Sequence, residues 1–265
     1  MIPERRVNRI AGYLAALVAL PGIFALGTPA EASGQYSVSP VIFPVPASGE
    51  DQELTAIVHN SGDAPLDLRV FAEDYDQSRD GSYLNAPYGD HPRSCADRLE
   101  VLPAAFSVPP GESQPVTLRM KGSDDPEGCW SLVYVENPAP PTGTLRLSSR
   151  IGIKVYGLTR EGAYEADITA ANVELAGEDR VLRFTVSNPQ NWPVIARGSV
   201  QVRDLEGMSF GEVPVSVFSV LPGHEREFGI ALPAGLEPGR YLAIPVLEYA
   251  EDGLAGAQVT FRVSE

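Results

Sequence analysis

Three features of this 265-residue sequence predict an all-β fold of two consecutive sandwiches. A motif recurs, short runs of β-forming residues alternate between turn signals, and no amphipathic helical stretch follows residue 32. The recurring motif is Phe106-Ser107-Val108-Pro109-Pro110-Gly111-Glu112, met again 112 residues later as Phe218-Ser219-Val220-Leu221-Pro222-Gly223-His224. Two further landmarks keep the same order. Val58-His59-Asn60-Ser61 is matched by Val186-Ser187-Asn188-Pro189, and Gly128-Cys129-Trp130 by Gly239-Arg240-Tyr241. Three landmarks at this spacing indicate two copies of an immunoglobulin-like unit of roughly 100 residues, a size that buries its own core. The copies are assigned to residues 33–158 and 159–265. The boundary lies at 157–162, where glycine and charge interrupt the strand pattern.

In the first copy, residues 35–45 contain Pro40 and Pro44, with Pro46 just beyond. They restrict the segment to a sheet edge or to a strand that switches sheets. Residues 54–59 form a strand closed by the Asn60-Ser61-Gly62-Asp63 turn. Over 66–72, Leu66, Leu68 and Val70 alternate with Asp67, Arg69 and Phe71. The polar, glycine-marked stretch 74–88 reads as a hairpin or long loop. One strand over 99–108 ends at the Pro-Pro-Gly turn, and 116–120 and 130–135 are further strands. Pro138-Ala139-Pro140-Pro141-Thr142-Gly143 is a stiff connector, and 145–156 forms one long alternating strand. The second copy continues the pattern over 181–187, 196–204, 213–220, 225–232, 241–249 and 258–263. Trp192, in the turn 188–194, is expected to pack on the neighbouring strand rather than stand exposed as a partner's anchor.

Residues 1–32 stand apart. Arg5, Arg6 and Arg9 precede an uncharged apolar stretch over 10–26, and Ala30-Glu31-Ala32 supplies a small-x-small cleavage pattern. This reads as a secretory signal peptide cut after Ala32. A retained anchor is the competing reading; the stretch is short for a span and is broken by Pro21 and Gly22. Two cysteines, Cys95 and Cys129, lie in the first copy. Secretion favours a disulfide between them, with two buried free thiols as the alternative.

The net charge of −15 repels nucleic acid and anionic membranes and keeps a secreted chain soluble. Chemistry-bearing constellations are missing from the sequence. His59, His91 and His224 lack zinc spacing, and no nucleophile elbow or phosphate-binding loop occurs. Glu73-Asp74-Tyr75-Asp76 followed by Asp80-Gly81 resembles a calcium loop, but Arg79 stands where an EF-hand loop starting at Asp74 needs glycine. A solvated hairpin tip is expected there, with weak calcium binding by the Asp74–Asp80 loop as the alternative. No enzymatic activity, cofactor or metal is expected.

The first copy opens with Ser37-Val38-Ser39-Pro40 and carries the Val58-His59-Asn60 strand end and the Phe106–Glu112 motif. Ser131-Leu132-Val133-Tyr134-Val135 and Arg150-Ile151-Gly152-Ile153-Lys154-Val155-Tyr156 follow. Over residues 36–158 these pieces resemble the N-terminal domain of periplasmic pilus assembly chaperones, the PapD-like family. The second copy is only loosely similar to that family's second domain. The resemblance implies non-covalent strand donation to the subunits of a pilus or other surface structure. By position relative to Lys154, Leu145, Leu147 and Ser149 match the donor residues, and Ile151, Ile153 and Val155 continue the same face. Lys154 matches a lysine that anchors the subunit's terminal carboxylate. The family's second anchor is an arginine on the first strand. Ile42 stands nearest that position here, and no Arg or Lys occurs between residues 33 and 68. Expected partners are protein subunits, with an outer-membrane usher, in the periplasm. The alternative is a secreted structural or adhesive envelope module at the cell surface without chaperone activity; an enzyme's accessory domain pair is a third reading.

Overall fold

The computed structural model of the protein describes residues 36–123, 127–138 and 148–264. The expected signal peptide, and Leu145 and Leu147 of the donor face, lie outside the described residues. The chain divides into two units, Met1–Ser33 and Gly34–Glu265. Every described residue belongs to the second.

The first sandwich contains β1 (Tyr36–Ser39), β2 (Ile42–Val45), β3 (Gln52–Asn60), β4 (Leu66–Gln77), β5 (Tyr83–Ala86), β6 (Leu99–Leu102), β7 (Ala105–Val108), β8 (Ser113–Met120), β9 (Cys129–Asn137) and β10 (Ser149–Gly157). One sheet runs β1-β3-β8-β6. The other runs β2-β10-β9-β4-β5, with β7 also pairing β4. The prolines act as expected at the start of the chain: β1 pairs β3, and two residues later β2 pairs β10 in the opposite sheet. The single strand expected over 99–108 is two. Pro103 has no N–H for a ladder, and the chain crosses from β8's edge to β4's edge at that point. In β4, Leu66, Leu68 and Val70 are buried while Asp67 and Arg69 are exposed, the two-residue period of a half-buried strand. The strand is longer than its apolar pattern. It runs on through Asp74, Tyr75 and Gln77, all buried, and turns into β5 as a hairpin.

The second sandwich contains β11 (Asp167–Ala176), β12 (Asp179–Ser187), β13 (Val194–Asp204), β14 (Ser209–Val220), β15 (Glu225–Ala231), β16 (Gly239–Tyr249), β17 (Gly253–Gly256) and β18 (Val259–Val263). Its sheets are β11-β12-β15 and β14-β13-β16-β17, with β18 also on β16. Sequence reading missed β11 and β17. The first is rich in Ala, Asn and Glu and the second is Gly-Leu-Ala-Gly, compositions of weak strand preference that pairing overrides. Among the described residues there is no helix.

The repeat is physical, because both copies close the same turn with the same clamp. Asn60, fully buried, donates from Nδ2 to the Val108 carbonyl at 2.9 Å, and its backbone exchanges bonds with Gly111 and Glu112. Asn188, also fully buried, donates to the Val220 carbonyl at 2.9 Å and bonds Gly223 and His224 in the same way. Gly111 and Gly223 adopt φ of 73° and 72°, where a Cβ would be strained.

Each sandwich has its own apolar core. A third cluster joins them: Tyr75, Trp130, Leu132, Tyr134, Tyr156 and Leu158 from the first, with Leu221 from the second. Trp192 packs here as expected. Its ring meets Tyr164 edge-on at 4.9 Å, and its Nε1 donates to Thr159 Oγ1 at 2.8 Å. Cys95 and Cys129 form the disulfide, which ties the loop before β6 to the start of β9. Replacing both cysteines with alanine is expected to lower unfolding free energy by about 4 kcal/mol, the chain-entropy value for a loop closed over a separation of 34 residues. Chemical denaturation under oxidising conditions measures it.

Candidate functional site

The site begins with β10. Ile153 and Val155 are fully buried in the first core. Alternation then sends Gly152, Lys154 and Tyr156 to the opposite face, toward the second sandwich. Tyr156 is fully buried there, its hydroxyl accepting from that of Tyr75 at 3.2 Å.

The two sides of β10 are unequal. Along one side it pairs antiparallel with β9 from Ser149↔Asn137 to Gly157↔Cys129. Along the other it pairs parallel with β2 only from Lys154↔Ile42 to Gly157↔Val45, and the Lys154 N–H donates to the Val41 carbonyl at 2.8 Å. Ser149 to Ile153 therefore have no strand on that side among the described residues. Because the Lys154 amide points to the β2 lane, alternation turns the backbone groups of Gly152 and Arg150 into the same lane, as an open sheet edge.

Lys154 stands at the end of this edge. Its Nζ donates to the Ser219 hydroxyl at 2.8 Å and lies 5.4 Å from the centroid of the Tyr83 ring. Among the described residues it has no carboxylate within ion-pair distance. Burial, and next the positive charge of Arg226, push its amine down to about 8. Arg226 approaches from β15. Its guanidinium lies over the rings of Phe218 and Phe228 at 5.5 and 5.2 Å, and its Nη1 reaches the Ser219 carbonyl at 3.5 Å. Burial lowers its pKa as well.

The predicted site residues thus separate. Ser149 is exposed and Ile151 half-buried at the open edge, and Lys154 faces the cleft between the sandwiches. Ile153 and Val155 point into the domain's own core, where they hold the strand rather than present a surface. Ile42 is the Cα partner of Lys154 and packs on the third cluster, so β2 brings no cation to the cleft. Ser219, Arg226 and Tyr83 went unrecognised in the sequence: they come from other strands, and no local pattern marks them.

The cleft is held by polar contacts between the sandwiches. Gln77 donates from Nε2 to the Ser219 carbonyl at 3.0 Å and accepts from the Leu221 N–H at 3.3 Å. Arg79 pairs with Glu225 and Glu227 at 3.1 and 2.8 Å. His224, read as an ordinary turn residue, instead meets Asp76 across the cleft at 2.6 Å. The calcium alternative for the Asp74–Asp80 loop finds no geometry. Asp74 is fully buried and accepts from the N–H groups of Gly89 and His91 and the hydroxyls of Ser94 and Ser131.

No protein-family model and no curated protein matches the sequence. Among solved structures the chain is similar to the class 5 fimbriae chaperone CfaA, at 12% identity and a TM-score of 0.44, over 87% of this chain and 100% of that one. It is similar to the CupB2 chaperone of Pseudomonas aeruginosa at 16% identity and 0.42, over 84% and 98%. The E. coli chaperone DraB gives 15% and 0.42, over 87% and 99%. At these identities and scores the similarities assign no residue. The protein's class is that of the tandem immunoglobulin-like β-sandwich. No helix among the described residues is long and apolar enough to cross a membrane.

A half-buried lysine with no acid partner among the described residues costs stability. Lys154→Met is expected to raise unfolding free energy by about 3 kcal/mol near pH 7, from linkage. The sign follows from a folded pKa near 8 against 10.5 unfolded. The penalty is full below pH 8, shrinks as pH rises because the unfolded state then binds more protons, and is gone above 10.5. Denaturation of both proteins between pH 7 and 10.5 checks the convergence.

Proposed function

We propose that this protein is a periplasmic chaperone that binds subunits of a pilus or related surface structure by donating β10 to an incomplete sandwich. The observation that carries the reading is the half-covered strand: among the described residues β2 accompanies only the last four residues of β10 and leaves Ser149–Ile153 without a strand on that side, up to Lys154 in the cleft. A strand added there gains main-chain hydrogen bonds, and pockets in the partner accept alternate side chains. Those side chains belong to Leu145, Leu147 and Ser149, with the half-buried Ile151 at the margin. Ile153 and Val155 anchor the strand from below. Lys154 attracts the negative end of the added strand. The resemblance of residues 36–158 to PapD-like chaperones, with its donor positions counted from Lys154, supports the same assignment. Delivery to an outer-membrane usher belongs to this reading, and secretion follows from the signal peptide expected over 1–32.

The test is capture of subunits from a periplasmic extract. Wild type is expected to retain them, while Leu147→Asp and Lys154→Ala each reduce recovery about tenfold or more, the scale for losing a buried anchor or charge contact. Equal recovery by all three proteins would reject strand donation and favour the adhesive or structural module.

A further inference from the structure

β16 is apolar on both of its faces. From Tyr241 to Leu247 it reads Tyr-Leu-Ala-Ile-Pro-Val-Leu, the composition of a strand covered on both sides. The second core takes Tyr241, Ala243 and Leu247. Alternation sends Leu242, Ile244 and Val246 to the outer face, where they are half-buried. Leu254 of β17, the Cα partner of Glu248, extends this face and is 67% exposed. None of these four belongs to an apolar cluster of the described residues.

Opposite charges bound the stripe. Arg240 stands at one end and Glu248 at the other, both exposed. Arg240 is the Cα partner of Arg262 on β18, exposed too, and neither arginine has an ion pair among the described residues. Like charges directly opposite on neighbouring strands are unfavourable. At the other end the turn between β16 and β17 adds the exposed Glu251 and Asp252. Glu248 meets Arg197 at 3.6 Å, an exposed pair of the kind that contributes little.

Along β16 the outer face thus runs Arg240, Leu242, Ile244, Val246, Glu248: a cation, three aliphatic side chains, an anion. That order is complementary to its own reverse. A two-fold axis lying between two copies, across β16 at the level of Ile244, sets Ile244 on Ile244 of the second copy, Leu242 on Val246 and Arg240 on Glu248. The same rotation carries Arg262 toward the second copy's turn of Glu251 and Asp252. An axis along the strands would instead set Arg240 on Arg240 and Glu248 on Glu248. We propose that the outer face of β16 is the two-fold interface of a homodimer, in which the second sandwiches pack face to face with β16 antiparallel to its counterpart. Sheets stacked in this way lie about 10 Å apart, a gap that aliphatic side chains fill. Glu212 lies at the level of the axis on β14, two strands from the stripe, where the twist of the sheets draws the faces apart. A chain of net charge −15 repels its own copies, so self-association requires a face that brings opposite charges together. The interface uses no residue of β10, and neither proposal depends on the other.

The test is sedimentation equilibrium of the full chain at constant ionic strength, from about 1 to 300 μM, a range in which interfaces of modest quality dissociate. Wild type is expected to form a dimer that dissociates on dilution. Ile244→Asp should weaken it about a hundredfold, because two carboxylates are then buried together on the axis. Arg240→Glu and Glu248→Arg, both at exposed positions, should each weaken it about tenfold by setting like charges together. The double swap of Arg240→Glu with Glu248→Arg restores opposite charges at both ends and should recover most of the affinity. A monomer throughout the range overturns the proposal. So does a dimer that withstands Ile244→Asp and is lost in Leu147→Asp, since it joins through the edge of β10. If the double swap is as weak as either single reversal, Arg240 does not meet Glu248 and the two-fold interface is rejected.

Discussion

The arrangement depends on the two-residue pleat of β10. Burying Ile153 and Val155 in the first core leaves Lys154 no choice of face: it must point to the second sandwich, beside the fully buried Tyr156. A register slip of one residue would reverse this, placing a lysine in the core and two aliphatic side chains in the cleft. The core side chains thus fix the strand, the strand aims the lysine, and the short β2 decides how much of the edge stays open.

The second sandwich acts as a lid on the first. Its motif turn delivers Ser219 and Leu221 to the cleft, where Gln77 receives them with both ends of its amide. The hairpin of β4 and β5 reaches across to Arg226 and pairs Arg79 with Glu225 and Glu227. The exposed pairs contribute little each. The apolar cluster of Tyr75, Trp130, Tyr156 and Leu221 spans the joint and contributes through burial. Among the described residues this cleft leaves Lys154 and Arg226 without an ion pair, a local cost of the kind that marks binding sites.

Much of the fold was legible. Alternation in 66–70 and 149–156, proline placement in 35–46 and the repeated Asn and Pro-Gly landmarks each report a constraint that acts within one strand or one turn. The break of 99–108 into two strands, the extension of β4 beyond its apolar pattern, and β11 and β17 were not legible. Those features arise from pairing and from contact with the other sandwich rather than from local preference. At the site, Lys154 was singled out by its match to the anchoring lysine of the resembled family and as one of two lysines in the chain. Arg226 was not, since nothing in Glu225-Arg226-Glu227 separates it from an ordinary solvated charge.

By itself the sequence determined the two all-β copies, the turns that close them, the pairing of Cys95 with Cys129 as the simplest outcome, and the strand that carries Lys154. These follow from periodicity, turn chemistry and composition, which are local. The tertiary structure alone decided which residues of β10 are core and which are edge, that β2 stops beside Lys154, and that Ser219 and Arg226 meet it there. Those outcomes depend on the register between strands and on the angle between sandwiches. Distances across a cleft are set by packing, and no spacing along the chain encodes them.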